Sequence, residues 1–482
     1  MDDFDRTKRF AIVKRHSPRI RNSGLVKKEV VLLLNPPARF PVLRDYYCST
    51  RSKAGYLWHP IDLLALSGVL GDIFNVAILD CVALGLDPAQ SVRRIASIAP
   101  GAVIMLVSGI TLVEDLAFAR MIKRNVKPKK ILVLGEPVLS RARQLIEAET
   151  CLDGALFDFL GLDAIAILKD RFHDVRNAAY RAGRDILLRR KRPDSFFSLG
   201  RIRHDLLDQG MYRLPPLMTP PFASVLCSFG CPYSCAYCNS GRNSLGYAIR
   251  DKDDLARELE DIKKNGISKV FFRDMNFPAD GQAGQLLEVI RSKGPFKWTC
   301  YARPDKVSED LLMEMAASGC KLVQFGVESK SPELLGRLDR FLGPRSIETA
   351  FEAVKKAGME AGAHFVLGLP GQSEQEVIET LKWAQSLDPA YVSFNLFQYR
   401  SGSKLDRLDE HAYPSNNKGS SRGRVPLKRL MTLKKRAYAN IYLRPGYIFK
   451  RISKAGSIQE VAELSRAALF LLGGLMKERM NN

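Results

Sequence analysis

The chain has 482 residues, of which 46% are hydrophobic and 26% are charged. This composition is typical of a globular protein with a buried core and excludes a fibre or a disordered tail. The length predicts two or three domains. No uninterrupted apolar run reaches the ~18–20 residues that a membrane-spanning helix needs, and the acidic start Met1-Asp2-Asp3 lacks the apolar core of a secretory signal. We therefore expect a cytoplasmic protein.

The positive charge of the chain is unevenly distributed. The sequence has 74 Lys and Arg against 52 Asp and Glu, a net charge of +22. The excess lies in residues 1–28, 171–204 and 411–482, so the rest of the chain is close to neutral. The nine cysteines are sparse for this length and partly clustered, which suits a cluster or metal site in a reducing compartment better than a disulfide framework.

From residue 29 the sequence alternates short apolar runs with amphipathic stretches. The runs predict parallel strands covered on both faces, and the stretches near 60–70, 88–97 and 113–124 predict helices between them. This series predicts an open, Rossmann-like doubly wound domain over residues 29–170, which would bind a ligand beyond the carboxyl ends of its strands. The runs are 29–34, 74–79, 103–108 and 131–134.

A second alternating series follows near residue 221. Six strands with helices between them predict a partial (β/α)6 barrel of the TIM type over 221–405, in which chemistry gathers at the carboxyl ends of the strands. Residues 171–220, rich in Arg and Pro, predict a basic linker. The ends predict a basic arm at 1–28 and a basic, mainly helical extension at 406–482. The candidate strands are 223–227, 269–273, 298–302, 322–326, 364–367 and 391–395, and the candidate helices lie near 252–264, 282–292, 308–318, 346–357 and 374–386.

Four cysteines, Cys227 to Cys238, fall close together at the carboxyl end of the first strand of this barrel. Cys231, Cys235 and Cys238 form the pattern C-x3-C-x2-C. Three thiolates can hold three irons of a 4Fe-4S cluster and leave the fourth iron open to a ligand, whereas ferredoxin clusters use four cysteines. The alternatives are buried inert thiols or a structural zinc site with Cys227 as fourth ligand, although zinc sites usually combine two short motifs separated in sequence. We interpret Cys227 as a strand residue.

The segment Gly230-Cys231-Pro232-Tyr233-Ser234-Cys235-Ala236-Tyr237-Cys238 resembles the signature of the radical S-adenosylmethionine (SAM) superfamily, and the resemblance continues to about residue 400. It implies that the three cysteines hold a 4Fe-4S cluster whose open iron is chelated by the amino and carboxylate groups of SAM. One-electron reduction, from a donor such as flavodoxin or ferredoxin, would then cleave a C–S bond and give a 5′-deoxyadenosyl radical.

The same resemblance implies SAM-binding residues at the ends of the first strands. Tyr237 matches the aromatic residue that packs near adenine. Asp274 lies where many members contact the SAM amino group, although Met275 departs from the Asp-Asp of the cobalamin-linked branch. Arg303 is expected to bind the SAM carboxylate.

The later strands carry further expected SAM contacts. Glu328 and Ser329 match polar residues that face SAM, and the loop that begins at Gly368 resembles the adenine-side loop of the family. Taken singly, such residues are more often surface, capping or turn residues. Together, at successive strand ends, they favour the SAM site.

Residues 29–170 resemble the cobalamin-binding domain that precedes the barrel in one large branch of the superfamily. Small residues after the strands would let a flat macrocycle and its nucleotide tail approach the backbone. The residues that we expect to contact cobalamin are Asn35, Pro36, Asp80, Ser108, Gly109, Gly135 and Glu136.

This domain departs from the family in one motif. Enzymes that ligate cobalt from the protein use Asp-x-His-x-x-Gly, whereas Val82 stands here in place of the histidine, between Asp80 and Gly85. No histidine of this motif would therefore reach the cobalt. We interpret His59, which precedes Pro60, as a helix-start residue. The alternative for the whole domain is a remnant that stabilises the barrel without a cofactor.

Residues 424–454 carry Lys and Arg interleaved with aromatic residues. Three interpretations are open. One is nucleic-acid binding. The second is a peripheral contact with an anionic membrane, because Ile458, Val461 and Leu464 recur at helical spacing beyond this segment. The third is a solvated basic face on a helix packed against the barrel. Charge alone does not indicate a nucleic-acid substrate, and we expect no nucleic-acid partner.

The sequence thus predicts a cobalamin-dependent radical SAM enzyme with a small-molecule or lipid substrate. A methyltransferase acting on an unactivated carbon is the first hypothesis. The alternatives are a radical SAM oxidative cyclase or rearrangement enzyme of the tetrapyrrole or hopanoid type, and a zinc-containing nucleic-acid-binding protein. Side chains of the cavity would set the specificity, so the sequence does not identify the substrate.

Overall fold

The computed structural model describes residues 28–46, 49–52, 56–214, 218–241, 246–277, 281–405 and 424–454, together with residues 458, 461, 462 and 465. Helices and strands alternate along the chain, so the predicted α/β class is confirmed. The predicted basic arm, apart from Lys28, and much of the C-terminal extension lie outside the described residues. Within the described residues, no helix is both long and apolar enough to cross a membrane.

Seven of the first nine strands form one sheet, in the order β4-β1-β5-β6-β7-β8-β9. The first five of these are parallel, and β2 and β3 form a separate antiparallel pair. The strand order reverses between β1 and β5, and open sheets of this type bind ligands at that switch point. The strands are β1 Val30–Asn35, β2 Val42–Leu43, β3 Thr50–Arg51, β4 Asn75–Asp80, β5 Ala102–Leu106, β6 Lys130–Leu134, β7 Gly154–Leu156, β8 Asn177–Ala182 and β9 Asp185–Arg190.

Five helices accompany this sheet. The central strands β1 and β5 are almost wholly apolar and buried, as expected for strands covered on both faces. The second helix begins with a capping box formed by Asp87 and Gln90, with Pro88 as its first residue. The helices are α1 Ile61–Gly71, α2 Pro88–Ile98, α3 Leu112–Asn125, α4 Val138–Ala148 and α5 Leu162–Leu168.

The second sheet has six parallel strands in the order β11-β14-β15-β16-β17-β18. Strands β11 and β18 are its two edges, so the sheet is a partial barrel. A small third sheet, in the order β10-β13-β12, lies beside the first barrel strand. The strands are β10 Phe196–Phe197, β11 Ala223–Val225, β12 Ser228–Gly230, β13 Tyr247–Arg250, β14 Lys269–Phe272, β15 Lys297–Ala302, β16 Cys320–Glu328, β17 Glu360–Leu367 and β18 Tyr391–Leu396.

The barrel helices agree with the sequence prediction to within two residues at each end. Side-chain caps fix three of their starts, at Asp251, Ser308 and Ser373. The short helix α9 is additional. The helices are α6 Lys252–Lys264, α7 Ala283–Lys293, α8 Glu309–Ala317, α9 Pro332–Gly336, α10 Pro344–Lys356 and α11 Glu374–Ser386, and single 3-10 turns occur at Phe172–Asp174, His204–Leu206, Gln209–Met211 and Pro304–Lys306.

Side chains of the barrel strands alternate between the helices and the lumen. Phe325 and Phe365 belong to the buried core beneath the helices. Tyr301, His364 and Tyr391 lie on the other face, where the His364 ring is 5.5 Å from that of Tyr301 and 5.8 Å from that of Tyr391. These three lumen residues are only half-buried, unlike their helix-facing neighbours. The lumen face of the strands is therefore less tightly covered than the helix face.

Residues 171–220 are more structured than the linker predicted from their composition. Strands β8 and β9 form a hairpin that extends the first sheet, and β10 pairs with β13. The outer strand β9 is largely exposed and ends in Arg189 and Arg190. Charged residues on an edge strand prevent pairing with other chains, so part of the arginine content that suggested a linker belongs to a strand.

The C-terminal helices α12 Leu427–Tyr442 and α13 Pro445–Ser453 cover the open edge of the barrel. The hydroxyl of Tyr438 accepts a hydrogen bond from the Phe394 N–H at 2.9 Å. One helical turn later, the Tyr442 hydroxyl accepts from the Val392 N–H at 2.9 Å and donates to the Val392 carbonyl at 2.8 Å. Backbone groups of the edge strand β18 are thus satisfied by side chains, and this part of the extension is a helix packed against the barrel.

The Tyr442→Phe substitution tests this edge contact. It leaves the N–H and C=O groups of Val392 without the hydroxyl, so we expect the free energy of unfolding to fall by about 1–3 kcal/mol. Urea denaturation measures the change. Phe449→Leu is the control, because Phe449 lies on α13 with 75% of its surface exposed, and it should change stability by less than ~0.5 kcal/mol. Equal stability of Tyr442→Phe and the wild type would contradict the contact.

His59 lies immediately before α1, as predicted, and packs between the two domains. Its ring is 4.2 Å from that of Tyr212. Its Nε2 is 2.8 Å from Gln209 Oε1 and its Nδ1 is 3.1 Å from the hydroxyl of Ser224, a residue of β11. Burial, and then the neighbouring His204, lower the pKa of His59 to about 3. The imidazole ring of His59 is therefore uncharged where it packs between the two domains.

Replacing His59 by Gln should change the pH dependence of stability. The unfolded chain takes up a proton at this histidine near pH 6.5, whereas the folded chain does not until about pH 3. The histidine therefore lowers stability as the pH falls below 6.5 and has no such effect above it. Between pH 7 and pH 5 we expect His59→Gln to lose roughly 2 kcal/mol less free energy of unfolding than the wild type. Urea denaturation at both pH values measures this difference, and parallel losses would refute it.

Candidate active site between the two sheets

The carboxyl edges of the two sheets meet. Arg273, directly after β14, forms a buried ion pair with Asp45, which follows β2 in the N-terminal domain. Arg400, after β18, lies 3.3 Å from the carboxylate of Glu136, which follows β6. Residues that follow the strands of both domains therefore line one region between the sheets.

The three motif cysteines lie in this region, in the loop that follows β12. Cys231 forms a bridge with Gly241, so the loop returns on itself. The N–H of Cys238 donates to the carbonyl of Cys235 at 3.1 Å, and the Cys238 sulfur accepts from the Ser240 N–H at 3.4 Å. The backbone thus folds the three thiols into one compact loop.

The three cysteines are close enough to affect one another's titration. Burial, and then the neighbouring Cys238 and Cys235, raise the pKa of the Cys231 thiol to about 12. Cys227 is separate from them, because it lies in the hydrophobic core and burial and Asp274 raise its pKa. Among the described residues, no three His, Cys, Asp or Glu side chains are placed to hold a single metal ion.

Two arginines reach the same sulfur. Arg303 Nη1 and Arg340 Nη1 each donate to Cys235 Sγ at 3.7 Å. Arg303 is held by two hydrogen bonds to Asp305, at 2.9 and 3.1 Å, and stacks on the ring of Tyr233 at 4.3 Å. Charge-assisted hydrogen bonds of this kind stabilise a thiolate. The predicted SAM residue Arg303 therefore lies beside the cysteine loop and is held there.

Glu328 ends β16 next to this arginine pair. Its carboxylate is 3.6 Å from Arg340 Nη2. Burial raises the pKa of Glu328, while Arg340 and a hydrogen bond from Tyr237 lower it. Its backbone φ is +66°, beside an irregularity in the pairing of β16 with β17. Left-handed conformations of non-glycine residues concentrate at functional sites. Tyr237 and Glu328, both predicted to face SAM, are thus brought together.

Asp274 connects the second barrel strand to the start of the cysteine loop. Its carboxylate accepts hydrogen bonds from the Cys227 N–H at 3.1 Å and from the Ser228 hydroxyl at 2.6 Å. Burial raises the pKa of Asp274 to about 6, against these hydrogen bonds. The observed contacts of Asp274 position the loop, and its contact with SAM stays a prediction.

Ser329 and Gly368 are joined through Gln372. The Gln372 carbonyl oxygen accepts from the Gly368 N–H at 2.7 Å, and its amide is 3.5 Å from the Ser329 hydroxyl. Gly368 has φ +78°, and a Cβ there would lie 2.7 Å from Leu430 of α12, so only glycine fits this turn. The fourth and fifth strand ends are therefore held together, and their contacts with SAM stay predictions.

Four buried N–H donors around the cysteine loop and the lumen have no partner within the described residues. They include Nε of Arg340, which already contacts Cys235 and Glu328. Buried donors are nearly always satisfied in folded proteins, so these four suit a ligand rich in oxygen acceptors, such as the carboxylate and ribose of SAM. The atoms are Asn239 Nδ2, Asn276 Nδ2, Gln324 Nε2 and Arg340 Nε.

The predicted cobalamin residues all lie at the carboxyl edge of four neighbouring strands, β4, β1, β5 and β6. Asn35 donates to Asp80 at 2.8 Å, and Arg44 donates to Asn35 at 2.9 Å and to the Pro36 carbonyl at 2.7 Å. Arg44 also pairs with Asp115 at 2.6 Å. Several polar groups of this edge therefore bind one another, beside a small cavity that Asn35, Arg44 and Asp80 help to line.

The next two strand ends are shaped by backbone contacts. The Ser108 N–H donates to Asp115 at 3.0 Å, and Gly109 is half-buried in the following turn. Gly135 has φ +139°, and a Cβ there would lie 2.0 Å from the Val107 carbonyl oxygen. Close packing of neighbouring strand ends thus explains this glycine. Contacts of these residues with cobalamin stay predictions.

Comparison with known proteins identifies the second domain. Residues 225–384 match the family model described as the radical SAM superfamily. This part of the chain is a radical SAM domain. The match begins in β11 and ends in α11, so it contains the cysteine loop, the arginine pair and the strand ends described above.

Relatives resemble more of the chain than its radical SAM domain. An uncharacterized methyltransferase of Pyrococcus horikoshii, PH0819, is 24% identical over 451 residues, covering 88% of this chain and 94% of the relative. The radical SAM methyltransferase TsrM from Kitasatospora setae, solved with tryptophan substrate and a SAM analog, has a TM-score of 0.62 at 18% identity, covering 78% of this chain and 75% of TsrM. OxsB, a cobalamin-dependent SAM radical enzyme solved with aqua-cobalamin and SAM, has a TM-score of 0.60 at 14% identity, covering 92% and 72%. These two likenesses show a shared fold.

Four arginines of the interdomain site have no role in the sequence prediction. Arg340 contacts Cys235 from a loop far along the radical SAM domain. Arg44, Arg273 and Arg400 each pair with a carboxylate more than 70 residues away. Such pairs leave no periodic or spacing signal. Of the four, only Arg273 could have been recognised from the sequence, because it lies at the carboxyl end of a predicted strand.

Proposed function

We propose that this chain is a cobalamin-dependent radical SAM methyltransferase that methylates an unactivated carbon of a small-molecule or lipid substrate. The observation that carries the proposal is the meeting of two carboxyl edges: the cysteine loop of the radical SAM domain faces the switch-point edge of a doubly wound sheet. The full-length relative PH0819 bears the name of a methyltransferase, and TsrM and OxsB support the same combination of domains.

The chain offers a suitable donor set for the cluster. Cys231, Cys235 and Cys238 would hold the 4Fe-4S cluster, and Arg303 and Arg340 would compensate negative charge at Cys235. When bound, the cluster supplies the electron that cleaves SAM to a 5′-deoxyadenosyl radical, and cobalamin carries the methyl group to be transferred. In this proposal an external donor such as flavodoxin or ferredoxin reduces the cluster by one electron.

The remaining residues of the site would bind and orient SAM and the substrate, and would keep water out. The unpartnered donors Asn239 and Asn276 would orient the acceptor groups of SAM. The half-buried Tyr301 and His364 of the lumen wall would receive the substrate. The ion pair of Arg273 with Asp45 closes one side of the region between the sheets, which protects a reactive radical from water.

Cys235→Ala tests the cluster. We expect this variant to lose the brown absorbance and the bound iron and acid-labile sulfide after anaerobic reconstitution, because one of three iron ligands is removed. Cys227→Ala is the matched control, since Cys227 is a cysteine of the same segment whose thiol lies in the core, and it should keep the cluster. A full cluster in Cys235→Ala, or zinc in place of iron in the wild type, would overturn the assignment.

Anaerobic turnover with SAM labelled in its methyl group tests the reaction. The protein is reconstituted with the cluster and hydroxocobalamin, then supplied with a one-electron reductant and small-molecule and lipid extracts. We expect the label in a new product and 5′-deoxyadenosine beside it, with label transfer lost when hydroxocobalamin is omitted. A new product that carries no label, formed together with 5′-deoxyadenosine, would contradict methylation and favour the cyclase or rearrangement alternative.

A further inference from the structure

Helix α13 carries its apolar side chains on the outside. Its inner face is polar: the Tyr447 hydroxyl donates to the Ala390 carbonyl at 2.8 Å, and Arg451 pairs with Glu360 at the start of β17. Its outer face presents Ile448, Phe449 and Ile452, which are 44%, 75% and 53% exposed. These three residues recur at helical spacing, so they form one stripe along the helix.

Two further apolar residues are exposed in the sequence on either side of α13. Leu443, in the turn before the helix, is 50% exposed, and Ile458, beyond it, is 90% exposed. Scattered exposed apolar residues are normal on protein surfaces, whereas contiguous apolar patches mark interaction sites. We call Ile448, Phe449 and Ile452 the α13 stripe.

The surroundings of the α13 stripe are positively charged. Arg444 and Lys450 share Asp388, while Arg451 and Lys454 share Glu360. Four cations thus share two carboxylates, and two positive charges remain uncompensated among these partners. Residues 424–454 contain no Asp or Glu at all. A partner that covers the stripe must therefore accept both apolar side chains and excess positive charge.

This combination favours an anionic lipid surface over a nucleic acid. Tyr438 and Tyr442 are turned inward onto β18, so these aromatic rings are not available to stack on bases. Helices that lie in a membrane interface insert Phe, Leu and Ile between the acyl chains and place Lys and Arg at the headgroups. On α13, Ile448, Phe449 and Ile452 face outward, while Lys450 and Lys454 keep 43% and 52% of their side chains exposed.

We propose that the α13 stripe docks this protein on the surface of anionic membranes. The helix contacts Ala390 and Glu360, which lie at the amino ends of β18 and β17, so the docking surface is at the end of the barrel opposite the cysteine loop. Docking there leaves the region between the two carboxyl edges free. The proposal is independent of the reaction catalysed.

Vesicle cosedimentation of the full chain tests the docking. We expect binding to vesicles of equal parts phosphatidylcholine and phosphatidylglycerol, weak binding to phosphatidylcholine alone, and loss of binding at high salt. Phe449→Asp should lower the partition coefficient by at least about tenfold, since it removes a large inserted side chain. Phe341→Asp is the matched control, because Phe341 is 76% exposed and lies after β16, toward the opposite end of the barrel. It should bind like the wild type.

Other results would overturn the proposal. Wild-type protein that binds neither vesicle, or equal binding by Phe449→Asp and the wild type, would exclude docking through this stripe. Sedimentation velocity that shows a dimer lost in Phe449→Asp, without vesicle binding, would assign the stripe to a second copy of the chain. Circular dichroism and thermal unfolding of both variants must match the wild type, so that lost binding reports the surface rather than the fold.

Discussion

A buried ion pair between the domains determines how the molecule is arranged. The side chains of Arg273 and Asp45 are 2% and 4% exposed, and an isolated charge at such depth costs several kcal/mol. Arg273 also lies over the ring of Trp58, at 4.2 Å. Burial, and then the charge of Asp45, raise the pKa of the second carboxyl group nearby, Asp62. The charges of Arg273 and Asp45 face each other only when the barrel and the N-terminal domain are in contact.

Buried positive charges also surround the cysteine loop. Arg340 is buried and reaches both Cys235 and Glu328, while Arg303 approaches the same sulfur from β15. Arg303 pairs with Asp305 and Arg340 with Glu328, and a cluster of thiolates with a bound carboxylate would add negative charge beside both. The polar interior of the barrel mouth is therefore suited to a charged cofactor set, whereas the strands below it keep an ordinary apolar core.

The sequence predicted correctly those elements that depend on residues close together in the chain. Apolar runs and capping residues located the parallel strands and most helices, and the cysteine spacing located the loop. The hairpin of β8 and β9 was missed because its exposed arginines obscure the strand pattern. The ion pair of Arg400 with Glu136 could not be predicted, since its partners are far apart in sequence and meet only through the fold. The role of Tyr438 and Tyr442 could not be predicted for the same reason, because their hydroxyls bind a strand 44 and 50 residues earlier in the sequence.

The tyrosine contacts on β18 also bear on how this protein can be divided. A partial barrel has a free strand edge, and an uncovered edge pairs readily with other chains. The two hydroxyls occupy that edge from a helix outside the residues that match the radical SAM family model. A fragment cut at the end of the barrel would be an open template for aggregation, so the catalytic module as a folding unit reaches at least to Tyr442.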